Sequence, residues 1–169
     1  KIGYSLKYGG QNAQYNWAST GIKGDDAWHH IVMIWNPHEE EEGTVMTACF
    51  DGACQTGIHC EGAFAGSPAA MTIGKSATGS SAYVDGHVDE ITIWDTSEGG
   101  ALDANDIDIL CNNRIGVSPH KNAEGYTSAQ FVTMYHKMEE NTGTTLTNHG
   151  SISDPGAVSA SDLWTNDTF

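Results

Sequence analysis

Apolar and polar residues alternate along this chain in short runs broken by glycine, proline, asparagine and serine, a period of two that predicts strands. Such runs occupy residues 2–8, 28–35, 44–50, 53–58, 69–74 and 88–94. The period changes once, in LDANDIDILCNN, where Asp103 is placed to cap a helix, Asp106 falls at its third position, and Ile107, Leu110 and Cys111 make a short apolar face. A turn-rich passage follows over residues 112–127, with Gly116, Pro119 and Gly125, and then one more strand signal, QFVTMYHKME. Beyond residue 140 the chain is rich in Gly, Ser, Thr, Asn and Asp, with Leu146, Val158, Leu163 and Trp164 as large apolar anchors. Many short strands, one helix and no internal repeat predict an all-β antiparallel sandwich of two sheets with one short accessory helix.

The stretch AYVDGHVDEITIWDT stands out because acidic residues sit at the mouth of a β-branched strand. Counted by twos, Asp89 shares a face with Ile91 and Ile93, while Val88, Glu90, Thr92 and Trp94 share the other. With the isoleucine face as core, Asp89 is expected to point inward, where a carboxylate needs hydrogen bonds, a charged partner or a cation.

Charge narrows the partners. Seven Lys plus Arg stand against 22 Asp plus Glu in 169 residues, a formal net charge of -15. That excess repels phosphate backbones and anionic membrane surfaces, so nucleic-acid binding is not expected. Much of it is solvated surface, as in the acidic run 39–42, which reads as a loop tip between two strands. No stretch approaches the ~20 consecutive apolar residues that cross a bilayer, and no membrane insertion is expected. Beginning at Lys1 without a signal-peptide pattern, the chain reads as a soluble, mature or cut-down piece of something longer.

Cys49, Cys54, Cys60 and Cys111 have neither zinc-ribbon nor redox-pair spacing. TVMTACFDGACQTGI predicts a hairpin turning at Asp51-Gly52, with Phe50 opposite Ala53 and Cys49 opposite Cys54. The second pair is a non-hydrogen-bonded one, where Cα atoms approach to ~4.5 Å, near the lower limit for a bridge. Elimination then leaves Cys60 with Cys111, although four cysteines allow three connectivities and four buried free thiols form the alternative. The bridged reading points to an oxidising, extracellular setting.

AWHHIVMIW, TVMTACFDGAC, MTIGKS and YVDGHVDEITIWDTSEGGALDANDIDIL, in this order and spacing, resemble the successive signatures of the laminin-G-like, concanavalin-A-like lectin-glucanase jelly rolls. The resemblance runs over residues 27–110, about half the chain. It implies a jelly-roll sandwich whose first strands are largely missing upstream. YHKMEENTGTTLTNHGS with LWTNDTF is similar to the strand that usually opens such a fold. The expected organisation is therefore a core over residues 1–130 and a C-terminal segment, 131–169, that completes the same sandwich or a neighbour's.

Catalysis is not expected. Glycoside hydrolysis needs two carboxylates about 5–9 Å apart, whereas Asp89 and Glu90 face opposite ways and Asp95 lies ~20 Å further along the strand. Neither a Gly-x-Ser-x-Gly elbow nor a His-Glu-x-x-His helix is present. His29 and His30 are adjacent, and His38, His59, His87, His120, His136 and His149 are scattered, which predicts no histidine metal site. Members of the superfamily often carry calcium, and the resemblance implies Asp89 as first candidate ligand with Asp85 beside it; Glu139, Asp154 and Asp162 are further acids. Asp89 as a backbone anchor is the competing reading. Tyr15, Trp17, Tyr83 and Trp94 are the aromatic candidates for stacking on a ligand such as a sugar ring, with packing within the sandwich as the competing reading.

Two functions follow. One is a non-catalytic recognition or adhesion module at a cell or virion surface, binding glycan or a surface protein with calcium fixing its loops. The other is a structural brick of a virion surface, appendage or extracellular fibre, self-assembling through its C-terminal segment.

Overall fold

The computed structural model of the chain describes residues 3–8, 11–16, 27–37, 44–60, 73–74, 86–95, 102–111, 117–122, 125–152 and 156–157. These belong to two compact units, one of Lys1–Ala69 with Cys111–Ile115, the other of Ala70–Leu110 with Gly116–Phe169.

In the first unit, β1 (Gly3–Tyr8) pairs antiparallel with β2 (Gln11–Asn16), Tyr4 opposite Tyr15 and Leu6 opposite Ala13. The run GYSLKY makes β1 legible. β2, QNAQYN, is too polar to register as an alternating strand; the Gly9-Gly10 pair between the two was the signal for it.

β3 (Ile31–Pro37), β4 (Thr44–Phe50) and β5 (Ala53–Cys60) form an antiparallel sheet in that order. The acidic run 39–42 lies outside the described residues. Val32 faces Cys49 across the β3–β4 ladder, and both are buried, as is Ala48. β4 and β5 meet as the sequence predicts, Phe50 opposite Ala53 and Cys49 opposite Cys54. Asp51 and Gly52 turn the chain with φ of 48° and 81°, the two positive values that a type I′ turn demands.

That turn is locked to the start of β3. Asp51 accepts the His30 backbone N–H at 2.9 Å and meets His29 Nδ1 at 2.9 Å, while its own N–H donates to the His30 carbonyl at 2.9 Å. The His29 ring lies 4.7 Å from that of Phe50. Burial holds the His30 imidazole below its usual pKa, with the Asp51 charge acting the other way.

In the second unit, β6 (Ile91–Trp94) pairs antiparallel with β7 (Val132–His136), Thr92 opposite Tyr135 and Ile93 opposite Met134. β6 is shorter than its sequence suggests. Glu90 adopts φ of 54°, a left-handed conformation that breaks the alternation between Asp89 and Ile91. Of the strand expected at 69–74, only Ile73 and Gly74 are described, and they form a bend.

Helix α1 (Ala104–Cys111) begins as predicted: Asp103 Oδ1 accepts the Asp106 N–H at 2.8 Å. Leu102 and Ile107, at the positions of a hydrophobic staple, are both buried, as are Leu110 and Cys111. The Asp106 carboxylate is buried too. It accepts Ser128 Oγ–H at 2.8 Å and the Thr127 N–H at 3.4 Å, fastening the helix to the turn Ser128–Phe131 that leads into β7. A second fastening starts at Trp94, whose indole N–H donates to Tyr126 Oη at 2.8 Å, and the Tyr126 hydroxyl in turn donates to the Pro119 carbonyl at 2.6 Å. β8 (Thr145–Leu146) and β9 (Gly156–Ala157) form a short antiparallel pair.

Candidate functional site

The residues ahead of β6 carry the chemistry that the sequence singled out, in a different arrangement. Asp89 is exposed, not inward, because the left-handed turn at Glu90 removes it from the register of Ile91 and Ile93. Its Oδ1 accepts the Glu90 N–H at 2.9 Å. Partial desolvation raises its carboxyl above the ordinary aspartate range; the Glu90 N–H works against that rise and the Glu139 charge adds to it.

Glu90 is the better-anchored acid. Its carboxylate accepts the hydroxyl of Tyr135, a residue 2% exposed that stands on β7 opposite Thr92. Burial pushes the Tyr135 hydroxyl far above the usual phenol range, and the bond to Glu90 with its charge pushes it further. Tyr135 therefore serves as a hydrogen-bond donor holding a carboxylate in place.

Two imidazoles flank the Tyr135 ring, His120 at 5.2 Å and His149 at 5.9 Å between centroids. Ser118 Oγ lies 3.0 Å from His120 Nδ1. Burial, then the charges of Lys121, Lys137 and His149, hold His120 below its usual pKa. The result is a surface with carboxylate acceptors at Asp89, Glu90 and Glu139 and imidazole and ammonium donors near His120. Such a mixed set suits a ligand that both donates and accepts hydrogen bonds, as hydroxyl groups do.

Sequence spacing alone does not find this cluster. His120 and His149 are scattered in the chain, and Tyr135 reads as one residue of a strand; only the β6–β7 pairing brings them beside Glu90.

Other sequence candidates fare differently. Asp85, Tyr83, Trp17, Asp154 and Asp162 lie outside the described residues. Tyr15 stands in β2 opposite Tyr4. Among the described residues no three His, Cys, Asp or Glu side chains gather as a metal site. Calcium takes six to eight oxygen ligands, and of the two expected acids the described residues contain Asp89 alone.

Cys49 and Cys54 form the expected bridge across the β4–β5 hairpin, with Cα atoms 3.9 Å apart. The second bridge is a correction. Cys111 is a free, buried thiol in the last turn of α1, on the same apolar face as Ile107 and Leu110, so it packs rather than pairs with Cys60.

A family model for the concanavalin A-like lectin/glucanases superfamily, of the laminin-G type, matches residues 3–107, more than half of the chain. The chain belongs to this family. No curated protein and no solved structure matches it. As a member of the concanavalin A-like superfamily the chain is a β-sandwich, consistent with antiparallel sheets and one α-helix among the described residues. Domains of this superfamily are carbohydrate- or protein-binding modules and typically non-catalytic. The match ends inside α1, so Glu90 belongs to the matched region while Tyr135, His120 and His149 lie beyond it. Among the described residues no helix is long and apolar enough to cross a membrane.

Proposed function

We propose that this protein is a non-catalytic extracellular adhesion module that binds glycan through the surface around Glu90 and Tyr135. The observation that carries the reading is the anchored carboxylate of Glu90, held by a buried tyrosine and set beside two imidazoles on a lectin-type domain. Exposed acceptors with neighbouring donors match the paired donor and acceptor character of sugar hydroxyls. The Cys49–Cys54 bridge supports an oxidising, extracellular location.

Residues 131–169 complete this chain's own sandwich in this reading, supported by the pairing of β7 with β6 of the same chain. Calcium binds at Asp89 and Asp85 and steadies the loop before β6. Its support is the exposed Asp89 carboxylate, a hard oxygen ligand close enough to the Glu139 charge to be repelled by it, a repulsion that a cation relieves.

A glycan array probed with and without chelator, alongside a measurement of mass in solution, tests the proposal. Sugar binding by a single-chain species, weakened by chelator, is the expected result. Large assemblies that bind no sugar refute it. Calorimetry that finds no divalent-ion binding removes the calcium part alone.

A further inference from the structure

The cations of this chain are few, yet several converge on one imidazole. Seven Lys plus Arg stand against 22 Asp plus Glu, so a lysine here has many carboxylates to pair with. Lys121 and Lys137 come from different segments and both act on the His120 ring, as does His149. Among the described residues neither lysine makes an ion pair. Lys121 and His149 are exposed, His120 and Lys137 half-buried.

The backbone explains the convergence. His120 and Lys121 sit in a tight turn in which the Lys121 N–H donates to the Ser118 carbonyl at 3.2 Å and Ser118 Oγ lies 3.0 Å from His120 Nδ1. Lys137 directly follows β7. His149 is tied to the same strand, its N–H donating to the Tyr135 carbonyl at 2.8 Å, and the Tyr135 ring touches both imidazoles. Every charge acting on His120 is positive. Glu90 and Glu139 act instead on the Tyr135 hydroxyl, and Glu139 also on Asp89. The acids therefore meet Tyr135 at its hydroxyl and the imidazoles meet it at its ring. Like charges gathered without a counter-charge repel one another, and an anion placed among them relieves that repulsion.

We propose that the cations around His120 form a subsite for the sulfate or carboxylate group of an acidic sugar, so that the glycan bound beside Glu90 is an acidic one. The inference rests on the glycan-binding reading above. Ammonium and imidazolium groups donate charge-assisted hydrogen bonds to sulfate and carboxylate oxygens, while the Glu90 carboxylate accepts from sugar hydroxyls. A bound anion also favours the charged form of His120, so binding takes up protons and tightens as pH falls.

The test is a glycan array carrying each core sugar in neutral, sulfated and carboxylated form, probed with the full chain in calcium at pH 7.5 and 5.5. Wild type should bind an acidic form about tenfold more tightly than its neutral parent, and more tightly still at the lower pH. Which acidic form is preferred separates sulfate from carboxylate. Lys121→Gln with Lys137→Gln, shown folded by circular dichroism, should bring the acidic form down to the level of its parent; Lys7→Gln with Lys75→Gln, which removes the same charge elsewhere, should not. Inorganic sulfate, at constant ionic strength, should shift the His120 ring signals in NMR spectra of wild type and leave those of the Lys121/Lys137 variant in place. Should that variant fail to fold, Lys121→Gln alone decides. Acidic and neutral forms bound alike overturn this inference and leave the glycan reading standing. So does a preference that survives loss of both lysines, or one that does not grow at the lower pH. A wild type that binds no glycan overturns both.

Discussion

Replacing Asp106 with alanine offers a sharp test of how this fold is held together. Its carboxylate is 5% exposed and has two partners across the gap between α1 and the turn Ser128–Phe131: the Ser128 hydroxyl at 2.8 Å and the Thr127 N–H at 3.4 Å. A hydrogen bond to a charged acceptor contributes about 1.5–3 kcal/mol, and the 3.4 Å contact lies beyond the usual range and adds little. An acidic group in the first turn adds about 0.3–1 kcal/mol through the helix dipole. Asp106→Ala should therefore destabilise the protein by about 2–4 kcal/mol, read as a shift in the urea midpoint at constant slope. Asp106→Asn keeps an acceptor for Ser128 and should lose roughly half as much. Asp108→Ala, on the exposed face of the same helix, should stay within about 0.5 kcal/mol. Pairing Asp106→Ala with Ser128→Ala should show about 1 kcal/mol or more of coupling. A loss below about 0.5 kcal/mol for Asp106→Ala, or additive single and double variants, would refute this account of the joint.

Other expectations are quickly checked. Asp103→Ala removes the cap on α1 and should cost about 1 kcal/mol by urea melting, with Asp103→Asn nearly neutral. Opening the Cys49–Cys54 loop, by replacing both cysteines with alanine, should cost about 2 kcal/mol on the chain-entropy model for a separation of five residues. His30 is held below its usual pKa by burial, so the unfolded chain binds more protons as pH falls below 6.5; stability should drop from pH 7.5 to 5.5, and His30→Gln should flatten that slope. Burial also lowers His120, ahead of Lys121, Lys137 and His149, which adds to the slope and leaves a residue of it in the variant.

The parts of the fold legible in the sequence are those set by local rules. Asp103 could be read as a cap because capping needs only a carboxylate three residues before a free N–H. The Asp51-Gly52 hairpin could be read because a two-residue turn fixes its own register and so sets Cys49 opposite Cys54. β2 escaped because its polar residues hide the alternation, and its hairpin signal lay in the neighbouring glycines. The inward Asp89 failed for a reason of backbone geometry: counting by twos assumes an unbroken strand, and Glu90 at φ 54° breaks it. The surface around Tyr135 was illegible because it is long-range. Glu90 and Tyr135 stand 45 residues apart, and nothing in local spacing says that β7 returns to lie beside β6. Asp106 shows both sides at once: its helical position follows from local pattern, its bond to Ser128 from the return of the chain.

The central claim is that a glycan is bound at the anchored carboxylates ahead of β6. The most direct measurement compares wild type with Glu90→Gln and Asp89→Asn on one glycan array in the presence of calcium, after circular dichroism has shown all three folded. The claim predicts a glycan bound by wild type and lost, by tenfold or more, in both variants. A wild type that binds no glycan, or variants that bind as well as wild type, would contradict it.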